Sequence, residues 1–180
     1  GIEDSYKIPF IDEASIEDSI ECLAVGLYLG IDKNAIEERM ASLEPVAMRL
    51  EVKEGRHDCT LINDSYNSDI NSLDIALDFM SRRPDAKERQ RVLILSDIYQ
   101  TGKPLSQLYS EVSALMKQRS VDQFIGIGPE VCAHQDCFQL PNSSFFMTVQ
   151  DFIDSELFSN LRNNIILLKG ARRFGFDKIT

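Results

Sequence analysis

The sequence predicts an α/β protein built on a mostly parallel, doubly wound sheet, with a pair of helices in front of it. Two observations lead to this fold class. Beyond a predicted hairpin, short apolar stretches alternate with stretches whose apolar residues recur at helical spacing, which is the pattern of parallel strands joined by crossover helices. One stretch, RVLILS, has no polar break, as expected of a strand that is buried on both faces.

Two short helices are predicted at the start of the chain. In the first, residues 15–29, apolar side chains recur at helical spacing, Ser15 is placed as an N-cap and Gly30 ends the helix. The second, KNAIEERMASL, has one apolar face and stops before Pro45. Because a hairpin of this size cannot bury both apolar faces alone, we expect it to pack against another part of a protein.

The remaining elements follow from the same patterns. AMRLEVKEG and DCTLIND are two predicted strands joined at Gly55. The later segments are, in chain order, a helix around residues 73–80, the strand RVLILS, the helix LSQLYSEVSALMK, the strand DQFIGIG, the short helix PEVCAH, the strand SFFMTV, the helix DFIDSELFSNL and the strand NIILLKG. Asn71 or Ser72 can cap the helix around 73–80, with Ile70 and Ile75 placed as a hydrophobic staple.

Composition and charge narrow the classes of function. A net charge of −10 argues against nucleic acid or an anionic membrane as the main partner. We find no apolar run long enough to cross a bilayer, and the first residues, GIEDSYKIPF, do not resemble a signal peptide. We therefore expect a cytoplasmic protein.

The four cysteines do not predict a metal site. Cys22 and Cys59 lie in apolar helix and strand patterns, where a reduced cysteine behaves as a small hydrophobic residue. In CAHQDC, His134 stands between Cys132 and Cys137, but no second pair of ligands at zinc spacing occurs. We expect these residues to be incidental and the chain to bind no metal of its own.

Polar residues stand where several predicted strands end: Asp64, Asp97, Gly128 and Lys169 each follow or close an apolar stretch. Carboxyl ends of parallel strands lie along one edge of a sheet, and ligands bind in the crevice above that edge. The pattern therefore predicts that Asp64, Asp97 and Lys169 share one rim. The alternative is that the two aspartates only cap the helices that follow them.

The residue types on this rim suit a nucleotide or an anionic substrate. Carboxylates accept hydrogen bonds from ribose hydroxyls or hold a metal, while Lys169 and Arg172 can meet a phosphate or a carboxylate. Neither a GxxxxGK[ST] loop nor a GxGxxG turn is present. The two histidines lie in unrelated polar loops and do not suggest a Ser-His-Asp site.

Two classes of protein fit these residues. A receiver-like phosphoacceptor domain also uses carboxylates and a lysine at strand ends. It usually has an adjacent acidic pair, where Asn63 and Asp64 stand here, and a proline after its lysine, where Gly170 stands. The other class is a domain that closes over nucleotide or substrate in a larger enzyme whose phosphate loop lies outside this chain.

Five motifs occur in order along the chain: FIDEASIEDSIECLAVGLYLG, LEPVAMRLEV, NDSYNSDINSL, LSDIYQTG and LLKGAR. In this order and spacing they resemble motifs of the Mur ligase family, in the branch that adds D-alanyl-D-alanine to UDP-N-acetylmuramoyl-tripeptide. PVAMRLEVKEG and INDSYNSDINSLDIAL are most similar to the ligase halves of proteins fused to an alanine racemase. A same-fold ligase for another acid, of the folylpolyglutamate type, is the alternative within this fold.

The resemblance implies that residues 1–44 are the helical end of the family's central ATPase domain and that residues 45–180 are its Rossmann-like C-terminal domain. Family members form an amide through an acyl phosphate made with ATP and Mg²⁺, which are bound mainly by the central domain. The C-terminal domain closes over ATP and the dipeptide. The 180 residues alone, without the family's other domains, are therefore expected to be inactive and to hold no catalytic residue.

The resemblance also implies roles for single residues. On the nucleotide side, Arg49 would lie near the ATP phosphates, Asp64 would accept hydrogen bonds from the ribose, and Asn67 and Ser72 would shape the same loop. Asn63 replaces the first aspartate of the family's usual pair, which leaves Asp64 as the ribose candidate.

On the substrate side, the resemblance implies that Lys169, Arg172 and the Asp97 loop face D-alanyl-D-alanine. Other positions depart from the family pattern, namely Asp18 for Asn, Gln100 for Glu, Tyr109 for His and Ala171 for Ser. No role of those family residues is carried over to them.

Overall fold

The structure is a computed structural model that describes residues 5–10, 13–44, 49–99 and 102–179. The chain divides into two compact units, residues 1–46 and residues 47–180. The first unit is helical, and the second is built on a six-stranded sheet with flanking helices. The predicted fold class, a mostly parallel α/β sheet preceded by a helical pair, is confirmed. Pro45 and Gln100 lie outside the described residues.

The first unit contains helices α1 (Glu13–Tyr28) and α2 (Lys33–Ala41). Since α1 begins at Glu13, Ser15 lies inside it, and its predicted role as N-cap is wrong. The predicted end is confirmed: Gly30 has a φ of 69°, and the backbone N–H groups of Gly30 and Ile31 donate to carbonyls of the last turn. Asp32 caps α2 through its side chain.

Much of the apolar surface of the first unit is exposed. Ile36 and Met40 are buried, whereas Ile20 and Val25 are each 58% exposed and Tyr28 is 90% exposed. The expectation that this hairpin cannot bury both of its apolar faces is therefore confirmed. Among the described residues, no helix is long and apolar enough to cross a membrane.

The sheet of the second unit follows the predicted strands closely. Its order is β1-β2-β6-β3-β4-β5, in which β1 is antiparallel to β2 and the other neighbours are parallel. The strands are β1 (Glu51–Glu54), β2 (Thr60–Asp64), β3 (Gln90–Ser96), β4 (Gln123–Ile127), β5 (Ser143–Phe146) and β6 (Asn164–Lys169). The predicted hairpin between the first two is present, with Gly55 in its turn.

Five helices connect these strands: α3 (Ile70–Ser81), α4 (Leu105–Gln118), α5 (Pro129–Ala133), α6 (Val149–Ile153) and α7 (Glu156–Ser159). Short 3-10 turns occupy residues 84–87, 135–137, 172–174 and 176–178. The single helix predicted for DFIDSELFSNL is wrong, because the segment forms α6 and α7. Thr148 caps the start of α6, Asp154 is its C-cap, and Ser155 is the N-cap of α7.

Both faces of the sheet are buried, which explains the unbroken apolar runs. Along β3, Leu93 and Leu95 pack with residues of α3 and α4, while Val92 and Ile94 belong to a second core with residues of α6. All four side chains are fully buried. Two-sided burial leaves no position in the middle of this strand for a polar residue.

The strand order separates this domain from a receiver. The last strand, β6, lies between β2 and β3, so the five parallel strands run 1-5-2-3-4 when they are numbered among themselves. A receiver-like domain of the flavodoxin type has the order 2-1-3-4-5. The phosphoacceptor alternative is therefore not supported by the fold.

Arg89 binds together the amino ends of three strands. Its guanidinium donates to the Thr60 hydroxyl (2.8 Å), to the Asp85 carboxylate (2.6 Å) and to the backbone carbonyls of Asn164 (2.9 Å) and Asp58. A planar guanidinium can serve several acceptors at fixed angles. The amino ends of β2, β3 and β6 are thus tied together by one side chain.

Candidate functional site

The carboxyl ends of the parallel strands form a rim along one edge of the sheet. In register, Asp64 at the end of β2 lies opposite Lys169 at the end of β6, and Lys169 lies opposite Leu95 of β3. Asp97 follows β3 directly. The prediction that Asp64, Asp97 and Lys169 share one rim is confirmed.

Lys169 is a buried cation that holds the loop between β2 and α3. Its side chain is 2% exposed, and its Nζ donates to Asp64 Oδ2 (2.7 Å) and to the backbone carbonyl of Asn67 (2.9 Å). A buried ammonium needs such partners because its desolvation is costly. Lys169, at the end of β6, therefore fixes the Asp64 carboxylate, where the loop begins, and the backbone at Asn67, in the middle of the loop.

Asp64 keeps one carboxylate oxygen available. Its side chain is 13% exposed, and in the part of the chain that the structure describes only Oδ2 has a hydrogen-bond donor, Lys169. An ionised carboxylate accepts hydrogen bonds on both oxygens. Oδ1 of Asp64 is therefore suited to accept from a ligand hydroxyl, as a nucleotide ribose would require.

Internal hydrogen bonds shape the β2–α3 loop. Ser65 donates to Asn63 Oδ1 (2.6 Å), and the Asn67 side chain accepts from the backbone N–H of Ser68 (2.9 Å). Asn63, which replaces the family aspartate, is buried. The hydroxyl of Ser68 is buried too and has no hydrogen-bond partner among the described residues. The loop thus contains a polar atom whose hydrogen bonding is incomplete.

Asp69, which the sequence reasoning missed, is the N-cap of α3. Its Oδ1 accepts from the backbone N–H groups of Asn71 (3.0 Å) and Ser72 (2.9 Å), and its Oδ2 accepts from the Ser72 hydroxyl (2.6 Å). The prediction that Asn71 or Ser72 caps the helix is wrong, because Ser72 is the third helical residue of this capping box. The Ile70–Ile75 staple is wrong as well, since Ile75 is 57% exposed.

The charge on Asp69 is stabilised by its neighbours. Burial acts to raise its pKa, but the hydrogen bonds from the side chain and backbone of Ser72, the positive charge of Lys169 and the N–H of Asn71 together hold the pKa below its usual value. Lys169 therefore acts electrostatically on the start of α3 as well as on Asp64.

Arg49 lies beside this loop, against Tyr66, which is part of it. The Arg49 guanidinium carbon is 5.2 Å from the centroid of the Tyr66 ring, which is 46% exposed. Arg49 forms no ion pair with any residue in the described segments, so its charge is available to an anion. The backbone carbonyl of Tyr66 accepts from the N–H of Arg172 (3.3 Å), which links the loop to the turn after β6.

Asp97 faces the protein interior rather than the open rim. It is fully buried, and its carboxylate accepts from the backbone N–H groups of Val131 (2.8 Å) and Glu130 (3.2 Å) and from the Tyr99 hydroxyl (3.0 Å). Gly128 has a φ of 135°, and a Cβ there would lie 2.5 Å from Asp97 Oδ1. The carboxylate therefore ties the end of β3 to α5, and any contact with a substrate has to come from the loop that follows it.

The sequence ARRF places two exposed arginines after β6. The Arg172 guanidinium has no ion pair or hydrogen bond within the described residues, whereas the Arg173 guanidinium carbon lies 3.5 Å from the centroid of the Tyr99 ring. Gly170, which precedes this turn, passes close to β3, since a Cβ there would lie 2.9 Å from the Ser96 hydroxyl oxygen. Arg172 thus keeps the properties expected of an anion-binding residue.

Lys169, which is expected on the substrate side, lies in contact with residues that are expected on the nucleotide side. The structure places its ammonium on Asp64 and Asn67, the residues assigned to the nucleotide side, and leaves almost none of it exposed. The signal that could have revealed Asp69 is its spacing from Ser72, which matches a capping box. No sequence pattern singled out Tyr99 or Arg173.

No metal centre is built by the described part of the chain: it contains no group of three or more His, Cys, Asp or Glu side chains placed to hold an ion. Cys132 and Cys137 are free thiols. His134, between them in sequence, has its Nδ1 2.8 Å from the carbonyl oxygen of Glu130. The residues at the carboxyl ends of the strands fit a nucleotide better than a metal ion. Asp64 offers an acceptor for a ribose hydroxyl, and Arg49 and Arg172 offer guanidinium groups that form no ion pair within the described residues.

Comparison with known proteins gives relatives among the UDP-N-acetylmuramoyl-tripeptide–D-alanyl-D-alanine ligases. The chain is 21% identical over 186 residues to the UDP-N-acetylmuramoyl-tripeptide–D-alanyl-D-alanine ligase of Bacillus subtilis, covering 99% of this chain and 40% of that protein. It is 23% identical over 123 residues to the ligase of the same name from Escherichia coli, covering 68% of this chain and 26% of that protein. Its relatives are Mur ligases. No protein-family model matches the chain.

Solved Mur ligase structures share the fold. A MurF structure from Acinetobacter baumannii superposes with a TM-score of 0.79 at 18% identity, over 97% of this chain and 38% of that one. MurF ligase from Thermotoga maritima in complex with ADP gives a TM-score of 0.65 at 17% identity, over 87% and 34% of the two chains. The chain thus spans less than half the length of the Mur ligases it matches.

Proposed function

We propose that this chain is the C-terminal part of an ATP-dependent ligase that adds D-alanyl-D-alanine to UDP-N-acetylmuramoyl-tripeptide during peptidoglycan precursor synthesis. The observation that carries the proposal is the similarity of 99% of the chain to the ligase of this name from Bacillus subtilis, and of 68% of the chain to the one from Escherichia coli. The geometry of the rim adds support, because it offers the acceptor and the cations that a nucleotide and an anionic dipeptide need.

In this proposal the β2–α3 loop binds the nucleotide. Asp64 Oδ1 accepts from the ribose, Arg49 faces the phosphates, and Lys169 holds Asp64 and Asn67 in place from below. Asp69 and Ser72 secure the start of α3 and so the far end of the loop. ATP supplies the phosphoryl group that activates the carboxylate, and Mg²⁺ would be held by residues outside this chain.

Arg172 is the proposed contact for the carboxylate of D-alanyl-D-alanine. Its guanidinium is exposed and free of ion pairs in the described structure, and a guanidinium can bind a carboxylate through two parallel hydrogen bonds. Closure of this domain over the other domains would exclude water from the acyl phosphate and bring the amine to it.

The domain assignment belongs to the proposal. Residues 1–44 are assigned to the helical end of the central ATPase domain and residues 45–180 to the C-terminal domain, which agrees with the division into two compact units near residue 46. An alanine racemase half is a further element of the proposal that rests on motif resemblance alone. The coding sequence on either side of these residues tests both, through an upstream GxxxxGK[ST] and a downstream racemase.

The activity is tested with the intact protein that contains these residues. We expect ADP release that requires both UDP-N-acetylmuramoyl-tripeptide and D-alanyl-D-alanine, with the pentapeptide product identified by mass spectrometry. A protein that instead extends a folate with glutamate would replace this proposal by the alternative within the same fold. Product formation that is equal with L-alanyl-L-alanine would also contradict it.

A further inference from the structure

The two adjacent arginines after β6 have different surroundings. Arg172 and Arg173 both lie in the exposed 3-10 turn of residues 172–174. The guanidinium of Arg173 lies over the Tyr99 ring, with 3.5 Å between its carbon and the ring centroid, and 5.6 Å from the ring of Phe174. Arg172 has no such partner among the described side chains. The proposed function uses Arg172 and gives Arg173 no role.

Tyr99 is itself fixed from the protein interior. Its hydroxyl donates to Asp97 Oδ2 (3.0 Å), and Asp97 is fully buried against the backbone N–H groups at the start of α5. Its ring also stacks on Phe174, with 6.1 Å between centroids and 20° between planes. Burial and the hydrogen bond to Asp97 raise the pKa of Tyr99, while the neighbouring Arg173 acts to lower it. A row of contacts thus runs from Asp97 through Tyr99 to Arg173.

This row joins two loops that approach the same ligand in the proposed function. Tyr99 belongs to the segment after β3, and Arg173 belongs to the turn after β6. A cation held over an aromatic face is restricted in position while its charge stays unneutralised. Arg173 is thereby held over Tyr99 and is not directed at the ligand that Arg172 would bind. The same contact attaches the turn that carries Arg172 to the segment after β3.

We propose that Tyr99 and Arg173 are positioning residues, which hold the turn after β6 so that Arg172 alone is presented to the carboxylate of the incoming substrate. The proposal rests on the proposed function for the identity of that substrate. The contact itself does not depend on the function, so the two can be tested separately.

The contact is tested with the 180-residue chain by NMR of arginine side chains. The ring current of Tyr99 should shift the side-chain protons of Arg173, and Tyr99→Leu should remove that shift while Tyr99→Phe, which keeps the ring, should retain it. Arg162, exposed at the opposite end of β6, should keep its resonances in both variants. An Arg173 resonance that does not respond to Tyr99→Leu would overturn the proposal.

The positioning role is tested by the kinetics of the intact protein. Loss of an exposed cation–π contact should raise KM for D-alanyl-D-alanine by about twofold to fivefold in Arg173→Gln and in Tyr99→Leu. We expect KM for ATP and kcat to stay at their original values, and Tyr99→Phe to retain most of the dipeptide affinity. Arg172→Gln should have a larger effect than either, and Arg162→Gln none.

The outcomes separate the two proposals. An intact protein that makes no product from D-alanyl-D-alanine contradicts the proposed function, while the NMR result still decides whether the contact exists. If the protein is active but Arg173→Gln and Tyr99→Leu behave like Arg162→Gln, the positioning role is wrong. An equal rise in KM for ATP and for the dipeptide would indicate a general structural role and would also overturn it.

Discussion

At the scale of single residues, the ammonium of Lys169 determines how the β2–α3 loop is held. It is buried between the Asp64 carboxylate and the Asn67 carbonyl, and its charge also acts on Asp69. A residue with these contacts holds the loop in place whether or not a ligand is bound. Its substitution should therefore affect folding and nucleotide binding together.

We expect Lys169→Met to lower the free energy of unfolding of the chain by about 3 kcal/mol, because the change leaves Asp64 with an uncompensated, largely buried charge. Urea denaturation followed by circular dichroism measures this loss. The matched control is Lys53→Met, which removes a 45% exposed lysine paired with Glu51 and should cost less than about 1 kcal/mol. Similar losses in the two variants would contradict the assigned role of Lys169.

The same substitution separates two views of the site. The motif resemblance places Lys169 on the dipeptide side, which predicts a greater loss in dipeptide use than in ATP binding. The structure places it against the β2–α3 loop, which we propose binds the nucleotide, so we expect Lys169→Met in the intact protein to weaken ATP binding at least as much. Isothermal titration with a non-hydrolysable ATP analogue gives the first quantity, and the KM for D-alanyl-D-alanine gives the second.

Asp69 should contribute to stability in a pH-dependent way. Since its pKa is lower in the folded chain than its ordinary value of 3.8, its contribution is present above that value and is lost as the pH falls through the folded pKa. Asp69→Ala should lower the unfolding free energy by about 1 kcal/mol at pH 7 and by less below pH 3.8. Denaturant titrations at several pH values measure the difference. Asp136→Ala, which changes an exposed carboxylate, is the control and should show neither effect.

At the scale of elements, the two ends of the sheet are held by different means. Arg89 joins the amino ends of β2, β3 and β6, whereas the carboxyl ends are joined by Lys169 and by Asp97. A lysine cannot reproduce the fork of a guanidinium. The amino end should therefore depend on the shape of the Arg89 side chain as well as on its charge.

Arg89→Lys should lower the unfolding free energy by about 1 to 2 kcal/mol, since at least two hydrogen bonds to partly buried acceptors are lost. Arg82→Lys is a suitable comparison, because Arg82 is 79% exposed and its ion pair is with Asp78, one turn away. Thermal unfolding of the two variants in the same buffer distinguishes them. If Arg89→Lys lowers the unfolding free energy no more than Arg82→Lys does, the hydrogen bonds of the Arg89 guanidinium are not needed for stability.

Most elements of the second unit could be predicted from the sequence, because strands buried on both faces appear as continuous apolar runs. The errors occurred where a local hydrogen bond competes with the periodic pattern. Ser155 splits the segment of α6 and α7 by capping the second helix, and Asp69 rather than Asn71 or Ser72 caps α3. Periodicity records which residues face the core and contains little information on where helices begin.

At the scale of the whole molecule, the chain carries part of the proposed catalytic apparatus. Its 180 residues contain no GxxxxGK[ST] motif, so we expect the purified chain to hydrolyse no ATP. A coupled ADP-release assay at high protein concentration measures this, with the intact protein and both substrates as the positive control. Turnover by the chain alone that is abolished by Asp64→Ala would contradict the proposed division of labour.

That Asp64, Asp97 and Lys169 lie at one edge of the sheet could be predicted from topology, but the contacts that each side chain makes could not. Strand ends of a parallel sheet must meet at one edge, so the nearness of Asp64, Asp97 and Lys169 follows from the order of elements. That Lys169 binds Asp64, 105 residues earlier in the chain, depends on β6 lying beside β2. The sequence also does not indicate that the Asp97 side chain points inward to α5 or that the Tyr99 ring contacts Arg173, because each contact joins segments that are far apart in the chain.

The central position of β6 in the sheet has a consequence for folding during synthesis on the ribosome. Until this strand emerges, the β1–β2 hairpin and the strands β3 to β5 have no shared backbone ladder, and each presents an unpaired edge. Synthesis therefore leaves two partial sheets waiting for a late segment, which has to insert between them rather than add to a border. Since the same segment brings Lys169, we expect the β2–α3 loop to lack its buried ammonium partner until this strand has inserted.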